Sequence, residues 1–193
     1  MKRGLSTNVK QSDAAQPSKE RFVFVGLDDT DTLESRGTGH LARQVAGVLA
    51  GEYPVLGVTR HQLLVDPRVP YTAKNSSAAV VLRANGRLDS RELAAQVEAV
   101  MRKHFNPGSD PGLCVASQVP EAVRLFGRRV QQEVVTQEEA RALAAAHSIP
   151  LAGLGGTDDG VIGALAAVGL AAAGDDGRYV LVGRSRDLHG LQP

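Results

Sequence analysis

Residues 22–32 read Phe22-Val-Phe-Val-Gly-Leu-Asp-Asp-Thr-Asp-Thr32, and the break inside that stretch decides the fold. Its first half is a short continuous apolar run with valine at 23 and 25, a buried strand by length and β-branching. The run stops on three carboxylates within four positions, Asp28, Asp29 and Asp31, which no buried strand continues. Gly37, Thr38 and Gly39 follow, and then Leu41, Val45, Val48 and Leu49 recur at helical spacing. The opening unit is therefore strand, acidic loop, helix.

The same alternation runs outward along the chain. The pattern predicts strands over 54–65, 78–83, 113–116 and 179–182, and helices over 89–104, 119–129, 136–146 and 161–173. Asp89 with Glu92, and Thr136 with Glu139, have the spacing of a capping box. Pro120 fits a first helical turn, where its missing N–H costs nothing. A glycine-rich loop over 153–160 leads into the alanine-rich helix. Strands alternating with helices predict an α/β class: one domain over 21–193, a mixed sheet with helices packed on it. Residues 1–20 are polar and without periodicity, and are read as a disordered leader.

Composition narrows the function classes. A chain of 193 residues with 42% hydrophobic content can bury roughly 70% of its unfolded surface. A net charge of +1 argues against a chain-wide polyanion surface. Aromatics are 4% with no tryptophan, which argues against a platform for stacked bases. Cys114 is the single cysteine, so neither an internal disulfide nor a cysteine-rich zinc site is available. A reducing compartment follows. No signal-like apolar segment follows Lys2 and Arg3, and the apolar run over 161–173 is shorter than the ~20 residues of a membrane span. The expectation is a cytoplasmic protein with no membrane partner.

Two readings apply to the acidic loop. Carboxylates about 4 Å apart repel by about 4 kcal/mol at an effective dielectric of 20. Mg²⁺ relieves that repulsion, because it takes one or two carboxylates together with phosphate oxygens. The alternative is a solvated Asx turn, whose side chains satisfy local N–H groups. Gly37-Thr38-Gly39 is likewise either a plain helix start or a phosphate turn at a helix N-terminus. It is not a Walker A motif, since the Gly-Lys-Ser/Thr ending is absent. A carboxylate loop followed by a Gly-Thr-Gly turn supplies the two parts that phosphoryl transfer needs.

Five blocks in order resemble the archaeal agmatidine synthase family. They are Val25-Gly-Leu-Asp-Asp-Thr-Asp-Thr32, Gly37-Thr-Gly-His-Leu41, Asp66-Pro-Arg-Val-Pro-Tyr-Thr-Ala-Lys-Asn75, Ser109-Asp-Pro-Gly112 and Val161-Ile-Gly-Ala-Leu-Ala-Ala-Val-Gly169. That family modifies the wobble cytidine of an isoleucine tRNA with ATP and agmatine. Its opening region is an unusual kinase domain that binds ATP and Mg²⁺. The resemblance implies Asp28, Asp29 and Asp31 as metal ligands. It implies Thr38, with Asp29 and Lys74, as the catalytic group, and Thr38 matches a threonine that the family autophosphorylates. Gly37, Thr38, Gly39, Arg68, Lys74 and Asn75 would bind the nucleotide.

The chain departs from the family where Gly155-Gly-Thr-Asp-Asp-Gly160 stands for a Gly-Asn-Gly-Arg-Gly segment, so that two acids replace a base. The family also carries a ferredoxin-like domain, an OB-fold and a zinc ribbon past the matched region. The resemblance therefore implies a stand-alone kinase-like domain acting on a nucleobase or small molecule. The alternative is a non-catalytic nucleotide-binding module, or one subunit of a split tRNA-modifying enzyme, reaching tRNA through a partner protein.

The remaining chemistry-bearing residues read as follows. His61 is expected to be a partly exposed structural histidine. Arg68 and Lys74 flank a proline loop and suit phosphate. Arg128 and Arg129, with Arg124 a turn earlier, read as a solvated helix face. Cys114 reads as a small core residue. Asp158 and Asp159 either complete a second metal site or cap the helix that follows. Gly163 and Gly169 read as close-packing positions.

Overall fold

The computed structural model describes residues 21–32, 36–71, 74–84 and 88–182. The leader expected over residues 1–20 lies outside the described residues. The first half of the chain gives β1 (Arg21–Asp28), α1 (Thr38–Leu49), β2 (Val55–Gln62), β3 (Ser76–Ala84), α2 (Ser90–His104) and β4 (Gly112–Ala116). The second half gives α3 (Glu121–Val130), α4 (Gln137–Ala146), β5 (Leu151–Gly153), α5 (Gly160–Ala173) and β6 (Arg178–Val182). The three-residue β5 is too short to leave a period in the sequence, and it falls where a loop was expected to begin.

The strands form one sheet in the order β5-β4-β1-β3-β2-β6. Every pairing is antiparallel. It follows that β1 and β2 run the same way with β3 between them, as do β3 and β4 with β1 between them. These are two split β-α-β units, the connectivity of ferredoxin-like folds, with β5 and β6 added at the edges. The resemblance placed a ferredoxin-like domain past the matched region, yet that topology is present within this chain. The α/β class with helices packed on a sheet is observed. Parallel neighbours are absent from the described sheet, because each helical crossover skips one strand.

Alternation along β1 sends Val23, Val25 and Leu27 to one face of the sheet. There they pack with Leu41, Val45 and Leu49 of α1 and Leu93, Val97 and Met101 of α2. Phe24, Gly26 and Asp28 point to the opposite face, which α5 covers, backed by α3 and α4. A helix clasped between a sheet and other helices is buried all round, which accounts for its uniformly apolar sequence. Gly26 allows the close approach, since a Cβ there would run into the Ala164 carbonyl.

The caps follow the sequence. Thr136 accepts from the Glu139 N–H, and the Glu139 carboxylate accepts from the Thr136 N–H, a complete capping box. Asp89 accepts from the Arg91 N–H at 2.8 Å, a cap that lacks the Glu92 half of the box its spacing suggested. Pro120 stands at the cap position, just before the first turn of α3. Cys114 is fully buried, as a core residue should be. Arg129 pairs with Glu133 and Glu139, and Arg128 pairs with Asp175, all on the exposed side of α3.

His61 departs from expectation: it is fully buried. Its Nε2 meets Thr59 Oγ1 at 2.9 Å and its Nδ1 meets Asp176 Oδ2 at 2.9 Å. Both ring nitrogens are satisfied, so burial costs little. The turn before β6 supplies Asp176, a partner 115 residues away that local sequence cannot reveal.

Candidate functional site

The register brings the chemistry to one end of the sheet. β1 ends at Asp28 opposite Gly112, the first residue of β4. β2 ends and β3 begins at the pair Gln62 and Ser76. The loop between those two strands therefore lies beside the acidic loop, as do the starts of α1 and α5. Together they enclose a cavity of about 200 Å³ lined by Asp28, Asp29, Asp31 and Thr38 and by Arg68, Lys74 and Asn75. Leu63, Val69, Pro70, Val135 and Ile162 form its apolar side.

Burial, followed by the neighbouring Asp29 charge, pushes the Asp28 carboxyl up to about 8. Asp29 turns the chain out of the strand with φ 46°, a left-handed conformation that aspartate tolerates. Burial and the charges of Asp110, Asp31 and Asp159 push its carboxyl up to about 6. Several carboxylates therefore face one another with too little water to screen them, which is the electrostatic signature of a site that gains from a cation. Among the described residues, however, no three His, Cys, Asp or Glu side chains converge into a ready-made metal cluster. A cation held here would take at most two of these carboxylates and its other ligands from outside the chain.

Thr38 is buried at the start of α1, and its hydroxyl donates to Asp31 Oδ1 at 3.0 Å. The Thr30 N–H donates to the same hydroxyl at 3.4 Å. Gly37 and Gly39 lie on the far side of this contact and line a second cavity, whereas Thr38, Asp31 and Lys74 border both. Arg68 reaches the first cavity, but Asp66 holds its guanidinium through two hydrogen bonds of 2.8 and 2.9 Å. The Asn75 amide is turned into the hairpin loop, donating to the Leu64 carbonyl at 2.6 Å. Asn75 thus shapes the loop that carries Lys74.

Asp158 does not cap α5. It takes a left-handed conformation and accepts from Arg141 at 3.0 Å. Asp159 holds the cap position without a side-chain cap bond, lines the cavity, and accepts from Gln137 at 2.6 Å. Gly163 and Gly169 are close-packing positions: a Cβ at Gly163 would meet the Asp28 carboxylate, and one at Gly169 the Val123 carbonyl.

Sequence reasoning missed Asp110, Asp66 and the apolar wall. Asp110 lay inside a block already matched to the family, and its carboxylate anchors the loop before α5 through the Thr157 N–H and hydroxyl, each at 2.7 Å. Leu63, Val135 and Ile162 carried no signal, because core and pocket apolar residues look alike in sequence.

No family model matches the chain. It is 28% identical over 184 residues to an uncharacterized protein of Methanocaldococcus jannaschii, covering 89% of this chain and 57% of that one. It is 25% identical over 148 residues to the isoleucine tRNA 2-agmatinylcytidine synthetase of Cenarchaeum symbiosum, covering 76% of this chain and 33% of that one. Among solved structures, it matches a synthetase of that kind in complex with its isoleucine tRNA and ATP with a TM-score of 0.67 at 27% identity, over 77% of this chain and 36% of the other. A tRNA fluorescent labelling enzyme matches with a TM-score of 0.66 at 28% identity, with the same two coverages. The chain spans 57% and 33% of the lengths of these two curated relatives. Over about three quarters of its length, the chain resembles the agmatidine synthetase of isoleucine tRNA in both sequence and fold.

Proposed function

We propose that the first cavity binds ATP with Mg²⁺ and transfers a phosphoryl group to a nucleobase or small-molecule acceptor, in chemistry related to tRNA modification. The observation that carries this reading is the meeting of Asp28, Asp29 and Asp31 with Thr38 and Lys74 beside an apolar wall. An enclosed volume of about 200 Å³ is smaller than the roughly 300–1,000 Å³ of whole ligand pockets. The base would take the apolar part, and the phosphates would run along the open acidic side. Support also comes from the resemblance to a synthetase solved with its isoleucine tRNA and ATP.

Asp28 and Asp29 would hold Mg²⁺, with Asp31 beside them, and the ion when bound would neutralise the phosphate charge. Lys74 balances charge on the transferred group, a contribution that positioned cations make most strongly where water is excluded. Thr38 would form the wall at which the triphosphate ends, whereas Gly37 and Gly39, expected to bind the nucleotide, lie behind that wall. The Thr38 hydroxyl is held by Asp31. If Thr38 is itself the acceptor, its Oγ–P bond forms as the bond from the γ-phosphorus to the bridging oxygen breaks, and its proton passes to Asp31.

A second reading, a nucleotide-binding module without turnover, is favoured by one observation. Asp158 and Asp159 replace the family's basic residue and are engaged by Arg141 and Gln137, so that loop itself offers the phosphates no cation. One experiment separates the two. Asp29→Asn is compared with the wild type for ATP binding by calorimetry and for phosphate release or autophosphorylation. The transferase reading expects turnover in the wild type and none in a folded variant. Wild-type binding without turnover establishes the module, and equal turnover in both proteins sinks the role of Asp29.

A further inference from the structure

We propose that the second cavity, on the other side of the Asp31–Thr38 contact, is an anion site that holds the phosphate group of a small acceptor. The proposal rests on the reading of the first cavity as the nucleotide site. The second cavity encloses about 510 Å³. Arg36 and Arg43 line it from around the start of α1, Arg60 from β2, and Lys74 from the β2–β3 loop. Among the described lining residues Asp31 is the one carboxylate, and it accepts from Thr38.

Three features make this more than a basic surface. The Arg60 Nε donates to Ser76 Oγ at 2.8 Å, which fixes the guanidinium across the β2–β3 pair. His40 lines the same cavity as Arg36 and Arg43, and its imidazole is held below its usual pKa by burial first and then by those two arginines. Helix α1 opens there with no acidic residue in its first turn and no side-chain cap bond, and Asp31, bound to Thr38, is the carboxylate described beside its positive end. Arginine forks and a helix start together suit the several oxygens of a phosphate.

The relation between the two cavities gives the site its role. They share Asp31, Thr38, Lys74 and Ser76 as a common wall. Phosphoryl transfer needs donor and acceptor on opposite sides of the moving group, roughly in line. A donor in the acidic, half-apolar cavity and an acceptor in the basic one meet that requirement at Lys74. The acceptor is a small phosphate ester rather than a long polyanion, because the whole chain carries a net charge of only +1 and few aromatics. A cavity of about 510 Å³ falls within the range of small-ligand sites, roughly 300–1,000 Å³.

The test uses the full chain, wild type and Arg36→Ser/Arg43→Ser, with three probes. They are ribose 5-phosphate, a non-hydrolysable ATP analogue with Mg²⁺, and a single-stranded RNA of about ten nucleotides titrated against salt. Thermal melting confirms that the variant is folded. Binding of ribose 5-phosphate by the wild type, weakened roughly tenfold or more in the variant while the ATP analogue changes less than about twofold, supports the proposal. Equal loss for both small probes overturns it, since the arginines would then serve the donor triphosphate. No effect of the variant on ribose 5-phosphate also overturns it. Salt-dependent RNA binding without ribose 5-phosphate binding overturns the small acceptor in favour of a nucleic-acid surface. A wild type that binds ribose 5-phosphate but not the ATP analogue sinks the nucleotide reading of the first cavity alone, and the anion site stands.

Discussion

The Asp28 carboxylate occupies the space that any side chain at Gly163 would fill. One residue ends the central strand β1, and the other lies in the first turn of α5, 135 positions later. The glycine is therefore part of the site, although it carries no functional group. It is what allows a helix to press a carboxylate into a half-buried position.

Gly163→Ala should either push Asp28 out of place or lift α5 from the sheet. Overpacking of this kind costs about 1–3 kcal/mol. In a chain of this size each kcal/mol lowers Tm by roughly 2–4 °C. Differential scanning calorimetry of the variant should show that loss, and a Tm equal to the wild type would mean that the helix start yields freely.

The raised carboxyls make stability depend on pH in a defined direction. Asp28 is pushed from 3.8 to about 8 and Asp29 from 3.8 to about 6. Between those limits the native protein holds protons that the unfolded chain has released, so folding stability from these groups falls as pH rises. With a chelator present, Tm should drop between about pH 5.5 and 8, and Asp28→Asn should flatten that slope. Mg²⁺ added at the upper pH should restore the lost stability if it binds these carboxylates. A flat profile in the wild type, unmoved by Mg²⁺, would contradict the electrostatic description of the site.

His61→Ala removes a group that is hydrogen-bonded on both sides, to Thr59 and to Asp176. The loss of packing and of two partners should cost about 2–4 kcal/mol, with the turn before β6 loosening first. Hydrogen exchange read by mass spectrometry should show faster labelling around residues 174–178. Unchanged exchange there would mean that the Gln131 bond to Asp176 holds the turn by itself.

Much of the fold was legible. Continuous apolar strands, helical spacing in α1, and the Thr136 and Asp89 caps are local patterns, and local patterns survive in a sequence. The acidic loop was legible for the same reason, since three carboxylates in four positions stand out against a strand. What was not legible depends on pairing. The buried state of His61 and the apolar wall at Val135 and Ile162 each join residues whose partners are set by tertiary packing.

The sequence by itself singled out the candidate residues: Asp28, Asp29, Asp31 and Thr38 from type and spacing, and Lys74 from a block that resembles the agmatidine synthase family. The tertiary structure alone decided how they stand. Strand register set Asp28 opposite Gly112 and under α5, and brought the β2–β3 loop alongside the acidic loop. The same packing divided the region into an acidic cavity and a basic one with Lys74 at their border. The physical reason is that residue type fixes charge and hydrogen-bonding capacity, whereas burial, pKa and the side of a wall on which a group lies are properties of the neighbours that folding supplies.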